Sequence, residues 1–156
     1  MATNLFSSGT LGGIGTPLNF NTFWVAVKAG ETISAGDGVH LDTTAGTWVK
    51  NTTSWVANTI YGICNDDVTN ATAGTIINVT NWGLANVIVD AELTTYGMAL
   101  TISHTNAGQF MAVTDEIGQG LARAYGKGGV NGECTVFFNG FGDTDTDTTD
   151  TDTGGT

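Results

Sequence analysis

Few residues of this 156-residue chain could do chemistry, and their spacing does not assemble a site. The histidines are His40 and His104. His40-Leu-Asp42 puts an imidazole and a carboxylate on one face of a strand, because alternate strand residues share a face. A hydrogen bond between them is permitted, but no neighbouring nucleophile completes a catalytic set, so the expectation is a surface strand histidine. Neither histidine stands in a cluster with metal-ligand spacing. Cys64 and Cys134 make no zinc pattern and read as buried thiols acting as small apolar residues; a disulfide between them stays open if the assembly meets oxidising conditions. Asp66-Asp67 and Asp115-Glu116 are adjacent acids, whereas acid–base pairs need carboxyl groups opposed across a cleft. Asp143-Thr-Asp-Thr-Asp147 opens like a calcium loop, but the sixth and twelfth positions, which demand Gly and Glu, hold Thr148 and Gly154. Gly12-Gly-Ile-Gly15 has no preceding strand and no following lysine, so it is no phosphate loop. Trp24, Trp48, Trp55 and Trp82 could stack on a sugar. No catalytic, metal or cofactor-binding residue is expected, and the chain does not read as an enzyme.

Charge narrows the partners. Fifteen acids against four bases give −11. Five of those acids lie in the last 14 residues, leaving 10 acids and 4 bases, or −6, through Gly142. Such a field repels nucleic acid, and Lys28, Lys50, Arg123 and Lys127 form no basic stripe. No stretch approaches the ~18 apolar residues that span a membrane. Met1-Ala-Thr-Asn-Leu-Phe lacks a basic and an apolar signal region, so synthesis in the cytoplasm is expected. Only 12% of residues are charged, about half the usual share, with Thr, Asn, Gly and Ser in their place. A polar but weakly charged surface suits broad contacts between subunits.

The elements that would position these residues come as a repeat. Gly36–Lys50 is echoed by Gly97–Val113, Ile60–Cys64 by Ile117–Leu121, and Gly74–Gly83 by Gly132–Gly142, at offsets of 61 to 62 for the first pair and 58 for the last. A repeat sets the architecture before any motif does. The echoed positions are glycines and alternating apolar residues, so a scaffold was duplicated and not a site. Each half is small, which predicts one shared core. Trp48 and Trp82 align with Phe110 and Phe141, which predicts core or repeat-interface roles for them. Strands are expected at 23–28, 39–41, 47–50, 60–64, 75–80, 84–89, 98–103, 109–113, 119–125 and 133–138, punctuated by turns such as Gly36-Asp-Gly38, Thr43–Gly46, Asn131-Gly132 and Asn139-Gly140. Leu84–Val89 reads as a strand buried on both sides. The segment 115–125 could pass for a helix start, but Gly118 and Gly120 each cost about 1 kcal/mol there, so a strand is preferred. The fold class is all-β: a compact β-barrel or sandwich of about ten short strands, with pseudo-repeats at about 27–83 and 90–142 inside a β-domain spanning 23–142.

Both ends differ from this body. Residues 1–22 are rich in Gly and Ser and hold the only proline, yet Leu5, Phe6, Leu11, Ile14, Leu18 and Phe20 are apolar. Disordered tails normally lack such residues. The segment reads as an extended N-terminal arm ordered by a partner, with Leu5, Phe6, Leu11, Ile14, Pro17, Leu18 and Phe20 as contact candidates. Residues 143–156 alternate Asp and Thr with no apolar residue and read as a solvated acidic tail.

Val27-Lys-Ala-Gly-Glu-Thr-Ile-Ser-Ala-Gly-Asp-Gly-Val39, Ile60-Tyr-Gly-Ile63, Gly74-Thr-Ile-Ile-Asn-Val79 and Gly120-Leu-Ala122 are together similar to the small decoration (cement) proteins of tailed-phage capsids. The likeness runs over roughly residues 23 to 141. It implies a compact β-domain, usually a homotrimer, bound to the major capsid protein on the outer surface of the virion, with no catalysis and no cofactor. The alternatives are a self-assembling surface-layer or filament subunit, whose arm would bind an identical chain, and a carbohydrate-binding module using the tryptophans.

Overall fold

The computed structural model describes residues 23–65, 70–113, 120–128 and 132–140. Among them lie nine strands and no helix: β1 (Phe23–Lys28), β2 (Gly38–Asp42), β3 (Thr47–Lys50), β4 (Tyr61–Cys64), β5 (Ile76–Val89), β6 (Ala99–Ile102), β7 (Phe110–Ala112), β8 (Ala122–Ala124) and β9 (Gly132–Asn139). The expected arm, the acidic tail and the acid pairs at 66–67 and 115–116 fall outside the described residues.

The architecture is all-β, as the alternating pattern predicts. Its organising element is β5, whose 14 residues far exceed the usual strand of 5–6. Sequence reading divides this stretch into two strands, with Asn81-Trp-Gly83 between them. The chain instead runs straight through, because Gly83 takes φ = 115° inside the strand, a value open to glycine and closed to most side chains. Fusion of those two runs accounts for nine strands in place of ten.

The C-terminal half of β5 belongs to a closed ring. It pairs antiparallel with β9, which leads through β8, β6 and β7 back to β5 by a parallel bridge between Val89 and Phe110. The N-terminal half of β5 takes the same path through the first repeat. It pairs with β4, then β2, then β3, while β1 flanks its other side and meets β3 through a parallel bridge, Ala29 to Trp48. β5 is thus the last strand of the first ring and the first strand of the second.

Matching the pairings corrects the sequence alignment. Gly36 N–H donates to Cys64 O at 2.9 Å, and Gly97 N–H donates to Ala124 O at 2.8 Å. Ile60–Cys64 is therefore the counterpart of Gly120–Ala124, three residues beyond the expected Ile117–Leu121. Val79 pairs with Cys64, and Val136 with Ala124, so these two valines correspond at an offset of 57 and not 58. One residue matters in a strand, because it exchanges the faces: at 57, buried Ile77 matches buried Cys134. Val27 and Val87 oppose Ile77 and Cys134, so residues 84–89 are the copy of β1 and the second unit begins near Gly83.

Turn chemistry is duplicated too. Gly36, Gly46, Gly97 and Gly108 have φ of 81°, 66°, 76° and 78°, the left-handed values that glycine tolerates. In the β2–β3 hairpin, Asp42 Oδ1 accepts the N–H groups of Thr44 and Ala45 at 2.8 and 3.1 Å, while Gly46 N–H returns to Asp42 O.

The single shared core expected from the size of each half is instead two clusters. One holds Ala29, Ile33, Val39, Trp48, Cys64, Ala71, Ile77 and Val79. The larger holds the inward residues of the second ring, with Phe110 and Phe138 edge to face at 6.1 Å, and it also takes Tyr61 and Ile63 from β4. β4 thus feeds both clusters from its two faces. Gly140 locks this seam: Tyr61 N–H donates to Gly140 O at 3.1 Å, and Gly140 N–H donates to Asn81 O at 2.8 Å. A Cβ on Gly140 would strike Tyr61 O and lie 2.9 Å from Asn81 O. Sequence reading assigned Gly140 to a turn; its requirement is space.

Gly140→Ala should lower the urea midpoint with an unchanged slope, at a cost of about 1–3 kcal/mol. Gly120→Ala is the control, since its added carbon meets only Ala99 Cβ at 3.5 Å, and it should be near neutral.

Candidate functional site

The polar residues singled out by sequence do not converge. His40 is buried, not the surface histidine expected, with Tyr61 of β4 and Asn51 beside it. Its ring lies 6.1 Å from that of Tyr61. Asp42 spends its carboxylate on the Thr44–Ala45 turn, so the permitted His40–Asp42 hydrogen bond is not made. Burial is the largest influence on the imidazole and lowers its pKa, outweighing the opposing effects of Asn51, Asp42 and Glu31. The Asn51 amide approaches the ring but is too poorly aligned to satisfy it: His40 Nδ1 and both polar atoms of the Asn51 side chain lack a partner of good geometry. Thr80 and Thr101 hydroxyls are buried in the same condition.

His104 is exposed on the turn before β7. Cys64 and Cys134 are both buried and unbonded to each other, one in each core cluster, as small apolar residues would be. No group of three or more His, Cys, Asp or Glu side chains comes together among the described residues. A shallow pocket of about 190 Å³ lies between Ala35–Gly36, Cys64–Asn65, Asn86–Ile88 and Glu133. It is smaller than the roughly 300–1,000 Å³ of small-molecule sites.

The four tryptophans do not form one platform. Trp48 is buried at the place of Phe110, as the repeat predicts. Trp55 stacks on Tyr61 at 4.6 Å, which occupies one ring face. Tyr61 OH holds the same loop by donating to Val56 O at 2.9 Å and accepting Val56 N–H at 2.8 Å. Trp82, expected in a core or repeat interface, points outward from β5, and its expected partner Phe141 lies outside the described residues.

What sequence reasoning missed is an apolar stripe on the outer face of the sheet. Odd residues 77 to 89 of β5 face inward, so Trp82 and Leu84 face out, and they are 38% and 47% exposed. Phe137 of β9 stands directly opposite Leu84 and meets Trp82 edge-on at 5.0 Å. Trp24 of β1, 50% exposed, pairs with Thr80 and so lies diagonally beside Trp82. The signal was present as Leu84–Val89, but that run was read as buried on both faces. In fact Ala85, Val87 and Val89 are buried while Leu84 and Asn86 are exposed. Patches of this kind on an otherwise polar surface mark contact sites.

No protein-family model and no curated protein sequence matches the chain. In fold it is similar to a chain in the solved structure described as the capsid of Myoviridae phage XM1, with a TM-score of 0.56 and 18% identity over 76% of this chain and 84% of that one.

Because His40 is held neutral by burial, the unfolded chain binds the extra proton. Stability should be complete above the unfolded histidine value of about 6.5 and fall as pH drops below it. Urea midpoints measured from pH 7 to pH 5 should therefore decline, and His40→Gln should flatten that decline; an equal decline in both would remove His40 as its source.

Proposed function

We propose that this chain is a non-catalytic structural protein of a phage virion that decorates and stabilises the outer surface of the capsid. The observation that carries the reading is the fold likeness to a chain of the phage XM1 capsid, which extends over most of both chains. The turn-and-strand motifs at 27–39, 60–63, 74–79 and 120–122, similar to decoration proteins, point the same way.

The physical chemistry suits that task. Decoration relies on many copies attached at once, where multivalency turns modest single contacts into firm attachment. A body with few charged side chains forms subunit contacts with little desolvation of charge. In this reading three copies close a ring through heterologous contacts. Residues 1–22 then act as an arm that engages the major capsid protein, with Leu5, Phe6, Leu11, Ile14, Pro17, Leu18 and Phe20 as its anchors. An extended arm adds a strand to a neighbouring sheet edge through its backbone and gains specificity from alternate side chains. The protein is made in the host cytoplasm and resides on the virion exterior.

Deleting residues 2–20 should abolish co-sedimentation with capsids while the far-UV circular dichroism of the β-body stays unchanged. Undiminished binding by the truncated chain would reject the arm as clamp. Light scattering on the purified chain should give discrete trimers; filaments or sheets would favour a surface-layer or filament subunit instead.

A further inference from the structure

We propose that the cleft between the two rings seats the side chain of one lysine from a partner protein. Its walls come from both repeats. The turn at Ala35–Gly36 and the end of β4, Cys64–Asn65, form one wall; Asn86–Ile88 of β5 and Glu133 of β9 form the other. The first wall is fixed by backbone. Gly36 N–H donates to Cys64 O, Cys64 N–H to Asp37 O and Asn65 N–H to Asn78 O, each at 2.9 Å. The second wall is sheet. Ile88 and Glu133 are cross-strand partners, so they share its outer face. A Cβ on Gly36 would lie 3.5 Å from Ile88 Cγ1, so the turn crosses close to that face.

Size selects the occupant. The cleft holds about 190 Å³. At roughly 30 Å³ per heavy atom, a water molecule's share of the liquid, the five heavy atoms of a lysine side chain need about 150 Å³ and the seven of arginine about 210 Å³. Chemistry selects it as well. Ala35 and Ile88 offer apolar surface to a methylene stem, while Glu133, Asn65 and Asn86 bring oxygen acceptors. Asn86 Oδ1 is oriented by the Thr135 hydroxyl, which donates to it at 2.8 Å. Glu133 is exposed and makes no ion pair; among the described residues that bond joins Lys50 to Asp37. A lysine buries such a stem and keeps its ammonium at the polar edge.

The chain's own lysines do not supply the occupant. Lys50 is held by Asp37, and Lys127 lies over the Tyr96 ring at 5.3 Å. A second copy is left with Lys28, which ends β1 on a sheet face and not on a protruding turn. The inference goes beyond the decoration reading and does not depend on it, because the cleft is present in the isolated chain. Under that reading the lysine belongs to the capsid surface.

Titrating the ¹⁵N-labelled full chain with Nα-acetyl-lysine methylamide tests it. The amides of Gly36, Asn65, Asn86 and Ile88 should shift saturably, with a Kd of about 1–10 mM. The norleucine analogue keeps the stem and lacks the charge; it should bind about tenfold more weakly, and Glu133→Gln should cost the lysine probe the same factor. Ala35→Leu, at an exposed position, should abolish the response by filling the cleft. The arginine analogue should give no saturable shift. Far-UV circular dichroism should be the same for both variants and the unaltered chain. No saturable shift with the lysine probe, or equal affinity for norleucine or in Glu133→Gln, would overturn the proposal. Shifts at the same amides on raising the protein from about 10 µM to about 1 mM without probe would overturn it too, by making the occupant a second copy.

Discussion

One hydrogen-bonded strand holds the two halves together. β5 carries β1 and β4 along its first half and β9 along its second, so the ladders of both rings converge on a single backbone. A backbone group buried without a partner costs about as much as a lost hydrogen bond, which makes an intact β5 a requirement for both rings at once. Gly83 is where that requirement meets sterics. Its φ of 115° lets the strand pass from one ring to the next without interruption.

The seam between the rings is less tidy than either core. Gly140 closes it by backbone contact with Tyr61 and Asn81, and Asn81 Nδ2 adds a bond to Tyr61 O at 3.1 Å. Yet His40, Asn51 and Thr80 bury polar atoms there without good partners. Such groups weaken a core and make it sensitive to protonation. Side chains turned the other way from β5 and β9 form the stripe, so the strand that unites the cores also supplies the contact face. Position in the fold and availability for partners come from the two faces of one element.

Much of this was legible in the residues. Glycines 36, 46, 97 and 108 revealed the repeat because all four hold left-handed turns, and Trp48 and Phe110 declared themselves equivalent by type. The all-β class followed from alternation. What escaped reading depends on distant chain. Trp82-Gly83 reads as a turn locally, but pairing with β1 and β9 keeps it extended. The offset of 57 was hidden because glycines mark loops, and loops absorb a residue where strands do not. His40 appeared to belong to the surface because nothing in β2 announces that Tyr61 and Asn51, distant in the chain, lie beside it. The stripe was obscured for a similar reason: an apolar run does not say which of its faces water reaches.

Sharing a strand also constrains descent. Two copies joined by a linker can drift apart, be separated, or lose one member while the other persists. Here the closing segment of the first unit is also the opening segment of the second, so excising either would leave its sibling with an unfinished circumference.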